Sequence, residues 1–413
     1  MSIAEAEPSA AVAFEQTRSL IVIGITHPQS CLLLSGRLRA LREAGFRVVL
    51  LCAPGKPLDR VAKSEGVETI AIPMERGIAP LRDMLSLFRL WRVLRQLQPD
   101  IVEFSTPKAG FLGMVAATLA RVPERVYLLR GLKLESTSGF KRRLLCAAER
   151  VASLCAHHVL CNSASLTRVA CDLRLVDSEK LLLLGDGSSN GVDVVRFAPG
   201  ASDVRRNLGL PPDAPVLGFV GRLTRDKGVR ELFDAFEVIL KARPSVYLLL
   251  VGWFDESDDA LSGDLRRRIE RHPRIVCTGF VEDTAPYYQA MDVFVLPTWR
   301  EGMPNAVLEA SASGIPVITT WATGARDSVV DGVTGVLIPP GNREAIYRTA
   351  LQLLREPEQR RRMGAAGRAW VSESFRQKDV LRRVVGFYQG LAPGPLNADP
   401  MRCTITAPNL RWR

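Results

Sequence analysis

Short apolar runs recur along this chain, separated by stretches whose apolar positions fall three and four residues apart. In the first half the runs cover 20–25, 47–52, 69–72, 101–104, 126–129 and 159–161. They return at 215–220, 246–251, 274–277, 293–296, 317–320 and 335–338. Runs of this length read as buried strands, and the periodic stretches between them read as helices. Their alternation predicts an α/β chain with parallel sheets covered on both faces. Between the two series lies Gly185-Asp186-Gly187-Ser188-Ser189-Asn190-Gly191, followed by a Pro- and Gly-broken segment over 197–212. We therefore expect two doubly wound, Rossmann-like domains facing a cleft. The first spans 1–195, the second 196–391 with helices over 343–391, and 392–413 is a loose tail. In such sheets ligands sit beyond the carboxyl ends of the strands.

The stretch 298–320, TWREGMPNAVLEASASGIPVITT, carries the densest chemistry. Glu301 is expected just before a helix and Glu309 inside it. Pro304 suits the first helical position, where a missing N–H costs nothing, and Gly314 suits the stop. Free amides near Asn305 and Ala306 would favour an anion. One carboxylate beside that site and another within the helix suit a ligand with both phosphate and hydroxyls, such as a nucleotide sugar. A second polar loop, Gly221-Arg222-Leu223-Thr224-Arg225-Asp226-Lys227-Gly228, follows the first strand of the second series. Arg222 and Lys227 would point at the cleft, where a guanidinium and an ammonium suit a diphosphate. The Gly-Lys order is not that of a Walker A loop, and a dinucleotide fingerprint fails because Asn190 replaces the third glycine.

Other groups narrow the picture. His27, in the first strand-to-helix loop with Ser30, is expected to face the cleft. The four histidines, His27, His157, His158 and His272, form no ligand-like group, and there is no Asp-x-Asp pair. No metal is expected. Leu81, Met84, Leu85, Phe88, Trp91 and Leu94 recur at helical spacing together with Arg82, Arg89, Arg92 and Arg95. This basic amphipathic helix either packs on its own sheet or meets a membrane surface. Lys141-Arg142-Arg143 is a second basic point in the same half.

Length and composition bound these readings. At 413 residues the chain exceeds one ordinary core, and 47% hydrophobic with 24% charged residues is globular. No apolar run reaches the roughly 18 residues of a membrane span. The acidic N-terminus shows no secretory signal, and eight scattered cysteines read as free thiols of a reducing cytoplasm. The net charge of +11 fits nucleic acid, an anionic membrane or anionic small molecules. No nucleic-acid signature accompanies it.

Gly221-Arg222-Leu223 with Lys227-Gly228, Gly279-Phe280-Val281, Glu301-Gly302-Met303-Pro304 through Leu308-Glu309-Ala310, and Gly314-Ile315-Pro316-Val317 resemble the retaining, family-four glycosyltransferases of GT-B fold. Ser105-Thr106-Pro107-Lys108-Ala109-Gly110, Arg130-Gly131-Leu132 and Asn190-Gly191-Val192-Asp193 are similar to bacterial members that build capsule, O-antigen, exopolysaccharide and lipid-linked glycans. The resemblance implies sugar transfer from a nucleotide diphosphate, expected to be UDP, to a polyprenyl-diphosphate-linked saccharide. The enzyme would work on the cytoplasmic membrane face, without metal or cofactor. Arg222, Lys227 and Glu301 would be the catalytic set, with Glu309 on the ribose. Gly221, Val281 and the run Gly302, Met303, Pro304, Asn305 and Ala306 would complete the donor site. Arg130, Lys108, His27 and Ser30 would line the first-domain side. Many members carry His-Gly where this chain has Arg130-Gly131, and a glycine-rich loop where it has 26–30. A catalytically idle nucleotide-sugar-binding scaffold is the alternative.

Overall fold

The structure is a computed structural model, and it describes residues 18–75, 77 and 79–393. The segments 1–17 and 394–413, which carry the signal reading and most of the expected tail, lie outside the described residues.

Seven strands form the first sheet: β1 Leu20–Gly24, β2 Arg47–Cys52, β3 Glu68–Ala71, β4 Ile101–Ser105, β5 Glu124–Leu129, β6 His158–Cys161 and β7 Leu181–Leu183. Six form the second: β8 Val216–Val220, β9 Tyr247–Val251, β10 Ile275–Cys277, β11 Val293–Leu296, β12 Val317–Thr320 and β13 Gly335–Ile338. The orders are β3-β2-β1-β4-β5-β6-β7 and β10-β9-β8-β11-β12-β13, and these strands pair in parallel. Strand order reverses between β1 and β4 and again between β8 and β11. Each reversal opens a crevice at the carboxyl edge, where loops from neighbouring strands can meet over a ligand.

The strands are apolar on both faces because helices cover both. Every residue of β1, β4 and β8 is buried, and the core divides into one cluster around the second sheet and two flanking the first. The expected two-domain α/β architecture is therefore present. Three local expectations change. The segment after β1 winds into a 3-10 helix, Pro28–Leu34, rather than an open loop. The run Leu181–Leu183, not expected as a strand, pairs with β6 at the sheet edge. Pro304 caps its helix from extended backbone, at φ −76° and ψ 105°, and the helix begins one residue later.

The last described helix, Gln377–Leu391, returns to the first sheet, where Val384, Phe387 and Tyr388 enter its core. Ala392, placed at the start of the tail by sequence, is buried there as well. The crossover is pinned where Val192 exchanges backbone hydrogen bonds with Phe375 (2.8 Å) and Gln377 (2.9 Å).

Candidate active site

The loops after β8 and β11 leave adjacent strands, so they emerge side by side. Gly228, at φ +72°, lies so close to the second loop that an added Cβ would sit 2.0 Å from the Pro297 carbonyl oxygen. Only glycine fits this combination of backbone and contact. The Trp299 amide and the Thr298 hydroxyl both donate to the Asp226 carbonyl, at 2.9 and 3.1 Å. These stitches bring Lys227 and Glu301, 74 positions apart in sequence, into a hydrogen-bonded ion pair. Both side chains are mostly enclosed, at 18% and 13% exposure, so the pair is little screened by water.

Further charges frame the pair. Arg222 donates to the nearly buried Asp255 at 2.7 Å. Burial alone would lower the Arg222 pKa, but this bond and the charges of Asp226 and Glu301 leave it raised. Asp226 accepts from Thr224 (2.6 Å) and Arg300 (2.8 Å). Its burial favours the protonated form, and Lys227 and Arg300 overcome that, holding the carboxylate below its ordinary range. Sequence reasoning gave no role to Asp255, Asp226 or Arg300. Asp226 and Arg300 stand within the stretches 221–228 and 298–320, whereas nothing in the sequence marks Asp255.

Glu309 sits within the helix Asn305–Ala312, whose start has no side-chain cap bond. The Tyr288 hydroxyl lies 2.9 Å from the Glu309 carboxylate and 3.1 Å from the Ala306 carbonyl, so its one hydrogen has two acceptors. Burial pushes the Glu309 pKa up, against the Tyr288 bond that favours the anion. Tyr288 was also missed, since an aromatic in a short segment reads as core. Asn305 and Ala306 are half-buried at the helix start, while the Met303 side chain belongs to the core. Val281 is half-buried against the second domain's core. Gly221 follows β8 and donates its amide to Val251 at 2.9 Å.

The first domain closes over this assembly. Arg130 and Gly131 follow β5 directly and abut the Glu301–Gly302 backbone. A Cβ on Gly302 would lie 2.2 Å from the Arg130 carbonyl oxygen and 2.8 Å from Asn162 Oδ1. Arg300 donates to the Ser136 hydroxyl (2.9 Å), and the Ser165 hydroxyl accepts from the Gly324 amide (2.7 Å) while bonding Asp327. Of the other first-domain candidates, His27 lines a groove of about 760 Å³ with Pro28, Gln29, Gly55 and Lys56. Ser30 donates its amide to the His27 carbonyl (2.8 Å) but is not among the groove's lining residues. Lys108 is committed to Asp83 (2.6 Å) and the Gly77 carbonyl, tying two helix starts together.

The arrangement presents two cations, a carboxylate beside them and a second carboxylate one helix stretch away, at the carboxyl edge of a doubly wound sheet. Residues 36–187 match the family described as "Glycosyl transferase 4-like domain", and 214–356 match "Glycosyl transferases group 1". The chain is 33% identical to the capsular polysaccharide biosynthesis glycosyltransferase CapM of Staphylococcus aureus, over 88% of this chain and 95% of that one. It is 31% identical to the UDP-Gal:alpha-D-GlcNAc-diphosphoundecaprenol alpha-1,3-galactosyltransferase of Escherichia coli, over 76% of this chain and 84% of that one. Among solved structures, Anabaena HepE in complex with UDP-glucose superposes with a TM-score of 0.74 at 20% identity, covering 90% of this chain and 99% of that one. The chain belongs to the group 1, family 4-like glycosyltransferases, has their GT-B fold, and is a glycosyltransferase.

Proposed function

We propose that this enzyme transfers a sugar from a UDP-sugar, with retention, to a saccharide carried on a polyprenyl diphosphate in cell-surface polysaccharide assembly. The Lys227–Glu301 pair carries the reading, because it sets a phosphate-binding cation against a hydroxyl-binding carboxylate. The bond that breaks in a nucleotide sugar joins those two chemistries. Lys227 and Arg222 would stabilise negative charge developing on the departing diphosphate. Glu301 would hold sugar hydroxyls, Glu309 the ribose, and the amides near Asn305 and Ala306 the phosphates. Gly221, Gly302 and Pro304 let the backbone come close, and Val281 flanks the base. Retention follows if the acceptor hydroxyl attacks from the face the diphosphate leaves, which then takes its proton. The relatives support the substrates: one is named for UDP-Gal and a diphosphoundecaprenol acceptor, and another for capsular polysaccharide.

In this reading cationic side chains and amides, rather than a metal, balance the diphosphate, so transfer should persist in excess EDTA. A titration with UDP tests the donor site. Lys227→Ala and Glu309→Ala should each weaken UDP binding at least about tenfold, as expected for losing a hydrogen-bonded charge. Unchanged affinity in both would contradict the assignment.

The acceptor lipid implies a membrane partner. Among the described residues no helix is long and apolar enough to cross a membrane, so contact would be peripheral. The helices Pro80–Leu97 and Gly139–Cys155 flank Pro107–Leu119. They expose Leu81, Met84, Leu85 and Phe88 on one and Phe140, Leu144 and Leu154 on the other, among exposed arginines and lysines. Such a basic, apolar face suits an anionic inner leaflet.

A further inference from the structure

At the carboxyl edge of the first sheet, polar side chains are buried without partners. Leu129 pairs with Cys161 and Leu128 with Ser105, so Arg130, Asn162 and Ser105 follow or end adjacent strands. Beneath them the fully buried Arg37, from the helix Arg37–Glu43, is ion-paired with Glu103 of β4, and both bond Tyr388 of the crossover helix. Arg37 also donates to the Ser189 carbonyl at 3.4 Å. Within this set Arg37 Nε and Glu103 Oε1 are themselves left without a hydrogen-bond partner.

Arg130 places a second guanidinium beside this set, where Glu103 and Tyr388 favour its charge and Arg37 opposes it. Its Nε and Nη2 are buried and have no hydrogen-bond acceptor. Ser105 Oγ and Asn162 Oδ1 are unpaired as well. Burial and the nearby Arg37 bring the Arg130 pKa down to about 10, which still leaves it charged at neutral pH. The Glu103 charge that favours Arg130 is already ion-paired with Arg37, so two guanidiniums share one carboxylate, and the unmet Arg130 donors are costly to bury. Nε and Nη2 form one edge of the guanidinium, the two-donor edge that matches a tetrahedral or planar oxyanion. The Arg130 carbonyl lies against Gly302, so the residue stands where the first domain meets the donor loop.

We infer that Arg130 receives a phosphoryl group of a substrate, in a seat on the first domain separate from that of Arg222 and Lys227. This rests on the function proposed above, in which donor and acceptor both carry diphosphates. The seat explains why an arginine stands at this position with its two-donor edge unpaired: substrate, not protein, supplies the partner.

Calorimetry on the full-length protein tests this with two probes, UDP and farnesyl diphosphate, the second measured with UDP saturating. Arg130→Gln should weaken one probe by about 10- to 100-fold, the usual loss for a charged hydrogen bond. Arg130→Lys, which keeps the charge without the fork, should recover part of it. Loss confined to UDP assigns the seat to the donor, and loss confined to farnesyl diphosphate assigns it to the acceptor; either supports the inference. The thermal midpoint of Arg130→Gln should not fall, because no protein bond is removed. Unchanged affinity for both probes would overturn the inference, leaving water as Arg130's partner. So would a lowered midpoint with affinities intact, which marks a structural role. If the unaltered protein fails to bind UDP, the donor reading fails instead, and farnesyl diphosphate still tests the seat.

Discussion

Glu309 shows what a single residue's surroundings impose. Burial opposes its charge and Tyr288 supports it. In Tyr288→Phe the carboxylate loses that bond, so its pKa rises further and the anion is lost at a higher pH as acid is added. Donor KM should rise by about 10- to 100-fold, and the acid limb of the kcat/KM profile should move up in pH. An unmoved limb would mean that Glu309 does not meet the donor in its charged form. Gly302 gives a second case. In Gly302→Ala the new methyl group collides with Arg130 and Asn162, forcing the domains apart, and a displacement of about 1 Å costs on the order of 100-fold in turnover. A steady-state assay checks it. The sequence made Glu301, Glu309, Arg222 and Lys227 legible because each sits in a short motif with a chemical purpose. Their partners were not legible. Asp255 comes from another loop and Tyr288 from the short helix Ala285–Tyr288, and only the fold brings them near.

At the scale of elements, the strands could be read because parallel strands are apolar throughout and short, with little else competing for that pattern. Leu181–Leu183 escaped because three residues at a sheet edge, partly exposed, carry no distinguishing period. Helix faces were harder. The basic amphipathic pattern of 81–98 was visible, yet whether its apolar side faces core or solvent depends on where the sheet lies. Leu90 and Leu94 face inward while Leu81, at 81% exposure, faces out. Phe140, equally exposed on the neighbouring helix, gave no sign of its role. If this two-helix face meets lipid, replacing Leu85, Phe88 and Phe140 together by Glu should shift the protein off phosphatidylglycerol vesicles in a flotation assay. Its affinity for UDP in solution should not change. Retention on the vesicles would place the membrane contact elsewhere.

The whole molecule is two sheets locked by a helix that returns to the first, and its stability should carry a pH signature. Glu149, buried against Tyr127 at 2.7 Å, has its pKa raised by burial to about 7. Its folded-state pKa lies above the unfolded value, so the protonated form favours the fold. Stability from this group is complete below the unfolded value, near 4.5, and falls as pH rises towards 7, by up to about 3 kcal/mol. Glu149→Gln should flatten that decline in urea melts recorded from pH 4.5 to 7.5. An identical slope in both proteins would refute it. The domain pattern was legible as two series of strands. The crossover helix was not, because nothing local tells Gln377–Leu391 which sheet it will cover.

The central claim is that this enzyme moves a sugar from a nucleotide diphosphate through the Lys227–Glu301 and Glu309 site. Its most direct test is mass-detected transfer from a panel of UDP- and GDP-sugars to lipid-linked saccharides, by the unaltered protein, Lys227→Ala and Glu309→Ala. The account predicts product from a UDP-sugar with the unaltered protein, and none from either variant while both keep their fold by circular dichroism. Full transfer by both variants would contradict it.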